Sequence, residues 1–265
     1  MLEYKIMEGK NLQEDNMIKN SSSRVDFSLP EKLDCHVHSV QLAMTKAFTL
    51  AEVLITLGII GIVAAMTMPA LITKHQKQVT VTRLKKAYSQ LVEATKMAEI
   101  ENGPTSDWNM DLPAETFMKT YVDPYVKFVN KDFGHTVNQR ISYKHSNGQP
   151  VTEWILNGST TEVRQFADGT IFFLDAWSSG NNISRGVAID INGYKGPNIL
   201  GKDVFSFSYN KETGFGHTKA TFDSDRDVLL GKSLHQCNKE APNGGHACSA
   251  VIIRDGWEIK DDYPW

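Results

Sequence analysis

From Val53 to Ile72 the chain reads VLITLGIIGIVAAMTMPALI, twenty residues without a charge. At 1.5 Å per residue a helix of that length covers about 30 Å, the thickness of a bilayer's hydrocarbon core. A core helix of a soluble domain is usually shorter and keeps a polar face. A secretory signal peptide has a shorter apolar core followed by a small-x-small cleavage site. Here Thr-Lys-His-Gln-Lys follows instead, and then an amphipathic pattern. The run therefore predicts a membrane-spanning helix over residues 48–72.

Beyond Ile72 the apolar positions Val81, Leu84, Tyr88, Leu91, Thr95 and Ala98 recur every three or four residues, with Lys85, Lys86, Glu93 and Lys96 on other faces. Asn102-Gly103-Pro104 is a stop signal. One helix is thus expected from about Leu50 to Glu101, roughly 75–80 Å long, with residues 73–102 as its amphipathic part. Asp111-Leu112-Pro113 predicts a second helix start, with Phe117, Tyr121 and Tyr125 on one face and Asp123-Pro124 breaking it. Residues 129–150 read mostly as loop.

Strand patterns follow at Val151–Leu156, Glu162–Phe166, Thr170–Asp175, Val187–Ile191 and Val204–Tyr209. Ala167-Asp168-Gly169 supplies a short hairpin turn. The fold class expected is α+β: a long N-terminal helix packed on an antiparallel sheet, with residues 103–265 forming a globular head. A hydrophobic content of 41% and charged content of 22% suit a folded chain, and a net charge of -3 gives no footprint for nucleic acid.

Immediately before the apolar run stands Lys46-Ala47-Phe48-Thr49-Leu50-Ala51-Glu52. This resembles the N-terminal processing motif of type IV pilins and type II secretion pseudopilins. The resemblance implies a leader, residues 1–47, removed by a prepilin peptidase between Ala47 and Phe48. It also implies N-methylation of Phe48 and a pilin-like fold. Cleavage there makes Glu52 fifth and Pro69 twenty-second in the mature chain, where the family has them. Ala47 stands where glycine is usual in the family. A carboxylate at mid-bilayer costs about 2.5–3.5 kcal/mol and less near the interface. The family implies that Glu52 is compensated by the α-amino group of Phe48 on a neighbouring subunit; the local alternative is a glutamate favoured by the helix dipole, about 0.3–1 kcal/mol. Pro69 removes a backbone hydrogen bond and is expected to kink the helix. Asp190-Ile191-Asn192-Gly193, Gly196-Pro197-Asn198 and Asp203-Val204-Phe205 also look like head segments of secretion-type pseudopilins.

The function implied is a filament subunit held in the cytoplasmic membrane, its head outside the cytoplasm. Its partners would be the prepilin peptidase, other pilin-like subunits, an assembly platform and an ATPase. The alternative is a membrane-anchored enzyme or binding module using a prepilin-like N-terminus. His135, His145, His217, His235 and His246 lie in loop-like contexts without metal-ligand spacing, and no nucleophile elbow or phosphate loop is visible. No catalytic residue, metal ligand or cofactor is assigned. Asp223-Ser224-Asp225-Arg226-Asp227 has the alternating acids of a calcium loop, but Val228 and Leu234 stand where such a loop needs Gly and Glu. Solvated turn acids are the default reading there.

Met44-Thr45-Lys46-Ala47 alone looks like a short prepilin leader, so translation is expected to begin at Met44. Cys35-His36-Val37-His38 lacks a second ligand pair and lies in the leader. Cleavage before Phe48 leaves Cys237 and Cys248 in the mature chain, where an oxidising compartment permits a disulfide; two buried thiols are the alternative. Val251-Ile252-Ile253, Trp257, Tyr263 and Trp265 are expected to pack on the head, with Gly256 capping a short helix.

Overall fold

The computed structural model describes residues 48–130, 141–152, 161–178, 184–193, 195–217 and 223–265. The leader with Met44, Ala47, Cys35, His36 and His38 lies outside them, as do His135 and residues 153–156. The chain divides into two units, Met1–Val53 and Leu54–Trp265.

Helix α1 spans Leu50–Asn102 without a break at Pro69. Pro69 has no N–H to offer the carbonyl of Ala65. The Thr67 and Thr73 hydroxyls bond back to the carbonyls of Val63 and Pro69, each at 2.9 Å. From Leu54 to Ile72 the large apolar side chains are 54–75% exposed, on every side of the helix. A helix apolar all round needs an apolar surrounding. Past Thr80 the helix becomes one-sided: Leu84, Ala87, Leu91, Ala94, Thr95 and Ala98 are buried. Val81 and Tyr88 are half-buried, flanking that stripe. Ala87 and Ala94, not anticipated from the sequence, are small enough to bring the helix backbone close to its neighbours. The helix stops where expected, at Gly103 with φ +79, a conformation glycine adopts freely.

Six strands form one antiparallel meander in sequential order: β1 Phe128–Asn130, β2 Glu162–Phe166, β3 Ile171–Ser178, β4 Ser184–Asp190, β5 Val204–Asn210 and β6 Gly214–Gly216. The β2–β3 turn falls at Ala167-Asp168-Gly169, with Gly169 at φ +88 and the Lys86 ammonium 2.7 Å from Asp168 Oδ2. Alternation along the strands serves two cores. Phe172, Leu174, Val187, Ile189, Phe205, Phe207 and Tyr209 join the buried stripe of α1. Ile171, Phe173, Ala188 and Val204 face the other way, onto Ile141, Tyr143, Val151 and Leu200. The second layer was not expected. Val151 and Thr152 are not strand as anticipated: Val151 is buried in that second layer, its N–H bonded to the carbonyl of Tyr143.

The connection from α1 to the sheet is fastened by a buried cation. The short helix α2, Ala114–Phe117, widens into a looser turn over Met118–Val122 and ends before Asp123-Pro124. Arg185 of β4, fully buried, reaches back into this segment. Its guanidinium donates to the carbonyls of Asp175 at 2.8 Å, Met110 at 3.1 Å and Leu112, and lies 5.1 Å over the Phe117 ring.

After β6 come α3, Arg226–Leu229, and α4, Cys248–Arg254. Cys237 and Cys248 are joined in a disulfide, which on the chain-entropy model stabilises by about 3 kcal/mol for so short a loop. Val251 and Ile252 are buried in the helix-side core, and Gly256 at φ +74 ends α4 as the sequence indicates. Arg226 clamps the C-terminal segment through Asp255 at 2.6 Å and Asp262 at 2.7 Å. The acids of the calcium-like stretch, Asp223, Asp225 and Asp227, are exposed.

Candidate functional site

At the start of α1 the carboxylate of Glu52 is held locally. The Thr49 N–H and hydroxyl both donate to Glu52 Oε2 at 2.9 Å, and the Glu52 N–H donates to Thr49 Oγ1 at 3.2 Å. This is a reciprocal capping box, the T-x-x-E arrangement that satisfies orphan N–H groups at a helix start. The signal was present in the sequence as Thr49-Leu50-Ala51-Glu52, beyond the dipole role considered for Glu52 there. Phe48, beside it, is 86% exposed. A charged group and a fully exposed aromatic thus open a helix whose next turns are apolar.

The head contains a second constellation that sequence spacing did not reveal. His145, His235 and His246 come together, with ring centroids 5.9 Å apart for His145 and His246 and 4.9 Å for His235 and His246. Ser206 Oγ lies 3.0 Å from His246 Nδ1. A cavity of about 310 Å³ is lined by Ser206, Ser208, His217, His235 and His246, with Leu229 and Leu234 among its apolar walls. Burial pushes His246 down to about 3, reinforced by His235 and His145, and burial alone pushes His217 down to about 4. A serine–imidazole pair needs a base titrating near neutral pH, and an imidazole near 3 takes a proton from a hydroxyl poorly. Among the described residues, no group of three or more His, Cys, Asp and Glu side chains is placed to hold a metal ion.

The β4–β5 connection, singled out in sequence, is built around two buried carboxylates. Asp190 accepts from the Tyr143 hydroxyl at 3.1 Å and from the N–H groups of Asn192 at 3.1 Å and Gly193 at 2.9 Å. Asp203 accepts from the N–H groups of Asn198 at 2.7 Å and Ile199 at 2.6 Å and from the Asn192 amide at 3.1 Å. The two acids thus template the whole loop. Burial, with the nearby charge of Asp203, pushes Asp190 up to about 8.

The folded state therefore keeps a proton on Asp190 that the unfolded chain releases near pH 4. Stability from this group is full below that pH and is lost as pH rises through about 8. His217 and His246 act oppositely: their neutral forms are favoured in the fold, so stability falls as pH drops below about 6.5. Asp190→Asn keeps an acceptor for both loop N–H groups and lets the Tyr143 oxygen accept instead. Its melting temperature is expected to hold steady from pH 7 to pH 9, above the range where the histidines act, while that of the parent falls, as read by thermal denaturation across buffers. An unchanged slope in the variant would place the titration elsewhere.

The family described as "Family of unknown function (DUF6613)" matches residues 70–265. The chain belongs to this family. No curated protein and no solved structure matches it. The DUF6613 match begins at Ala70, within α1, and takes in the amphipathic half of that helix, the sheet, the histidine-lined cavity, the β4–β5 loop and the disulfide-linked C-terminal segment. Phe48, Glu52 and the apolar turns up to Pro69 precede the DUF6613 region.

Proposed function

We propose that this DUF6613 chain is a structural subunit, of the pseudopilin type, of a type II secretion or type IV pilus-like filament. It is inserted in the cytoplasmic membrane, cut before Phe48 by a prepilin peptidase, methylated on Phe48, and assembled through α1 by a platform protein and an ATPase. The observation that carries this reading is the division of one continuous helix. Its first half is apolar and exposed on all sides, and its second half is buried along a single stripe against a sheet. Such a helix suits two environments in turn, lipid and then the flanks of neighbouring subunits. The Lys46–Glu52 motif gives the processing point, and the disulfide fits an oxidising compartment for the head. Pro69, with Gly58 and Gly61, weakens the membrane half and lets it bend or extend on leaving the bilayer.

The test is the N-terminus of the membrane-bound protein. Mass spectrometry of that fraction is expected to find a chain beginning at methylated Phe48. A product that begins elsewhere removes the filament reading.

The Ser206–His246 contact beside a cavity favours a second reading, a membrane-anchored enzyme or binding module. The division of α1 into an apolar, exposed half and a one-sided, buried half makes the filament reading the better supported of the two.

A further inference from the structure

A groove of about 1190 Å³ opens beside α1 where the helix would leave the bilayer, and we propose that it holds the headgroup of a zwitterionic phospholipid bearing a primary ammonium. The proposal rests on the membrane-spanning part of the filament reading. The groove is lined on the helix by Pro69, Ala70, Thr73, Lys74 and Lys77, and across from it by Glu258, Ile259 and Asp261 of the C-terminal segment.

Depth along the helix sets the chemistry. The uncharged run ends at Ile72. Lys74 then stands about 3 Å and Lys77 about 7.5 Å further along the axis, at 1.5 Å per residue. The headgroup layer on each side of a bilayer is about 5–7 Å thick. Lys74 therefore belongs at phosphate depth and Lys77 at the outer edge of the headgroup layer. Asp261 sits at the outer of these levels, its Oδ1 3.9 Å from Lys77 Nζ in a loose, solvated pairing. Among the described residues, neither Lys74 nor Glu258 has an ion-pair partner.

The groove thus sets two cations, Lys74 and Lys77, and two acids, Glu258 and Asp261, around one space. A zwitterionic phospholipid offers one group for each sign, a phosphate for the lysines and an ammonium for the acids. An acidic headgroup would meet Glu258 and Asp261 unfavourably, and a trimethylammonium would offer them no N–H to donate. Ile259, buried at the groove wall, and Ala70 and Pro69 at its lower end suit the glycerol and upper acyl carbons.

The test is native mass spectrometry of the full chain, extracted in mild detergent and given equal amounts of phosphatidylethanolamine, phosphatidylcholine and phosphatidylglycerol. One phosphatidylethanolamine is expected to be retained about tenfold over the others, a difference of about 1.4 kcal/mol. Lys74→Gln with Lys77→Gln should weaken retention of all three lipids. Glu258→Gln with Asp261→Asn should erase the preference while leaving phospholipid binding. Ala70→Trp, at an exposed position, should block the groove. Equal retention of the three lipids, or retention indifferent to these changes, overturns the proposal. So does a Thr73→Cys chain that cross-links to a second copy through this groove. Alkaline carbonate extraction separates the site from the anchor. Release of the chain from membranes defeats the spanning helix itself, whereas a chain that stays embedded without lipid preference defeats only the site.

Discussion

Glu52→Ala is expected to leave cleavage before Phe48 intact and to cut incorporation into sedimentable filaments on the order of 50-fold. The cost of charge in lipid sets that scale. On the filament reading the mature chain carries an ammonium at Phe48 and a carboxylate at Glu52, both near the membrane end of α1. An ammonium left unpaired at depth costs about 2.5 kcal/mol on insertion scales, and an energy of that size shifts an equilibrium by somewhat less than about 100-fold. The capping box complicates the experiment, because Glu52 also serves its own helix through Thr49. Losing a cap costs about 1 kcal/mol of local helix stability. Thr49→Val separates the roles: it removes the hydroxyl from the cap but keeps the carboxylate, so it should fray the first turn and still assemble. Immunoblots of sheared filaments against membranes, with N-terminal mass spectrometry, read both steps. Equal loss of assembly in Thr49→Val and Glu52→Ala would reduce Glu52 to a cap.

Arg185→Leu is expected to destabilise the head by about 3–5 kcal/mol. Three carbonyls, those of Met110 and Asp175 buried and that of Leu112 half-buried, lose the Arg185 donor together. An unsatisfied buried acceptor costs about 1–3 kcal/mol, partly relieved by relaxation. For a domain of this size such a loss lowers the melting temperature by roughly 10–15 °C. Arg185→Lys should rescue little, because a single ammonium cannot span carbonyls on both sides of a planar fork. Hydrogen exchange adds a readout of place. Protection should fall first over residues 105–125, which Arg185 ties to β4, and later over β3–β5. A variant within about 1 kcal/mol of the parent would show that water fills the vacated fork.

The ends of α1 lie within a residue of those expected because both are local chemistry: a charge-free run at one end, Asn102-Gly103-Pro104 at the other. Strand β2 and the Ala167-Asp168-Gly169 turn were legible for the same reason. Strand β1 was not, since three residues, Phe128–Asn130, are too few to show alternation. β6 is Gly-Phe-Gly, a composition that argues against a strand until β5 supplies the partner. The strand anticipated from Val151 fails at its start because Val151 is needed in the second core layer, where burial of one side chain outweighs local β-propensity.

The chain's own order of residues determined the long helix, its apolar half, its Thr49–Glu52 cap and most strands. Each is a short-range pattern, and short-range patterns survive without a fold. Only the tertiary structure decided that His145, His235 and His246 meet, that Arg185 braces the α1–sheet connection, that Asp190 and Asp203 share a loop, and that Lys74 and Glu258 line one groove. Those partners lie far apart in sequence. What brings them together is the closing of a six-stranded sheet between two layers, and no local period encodes it.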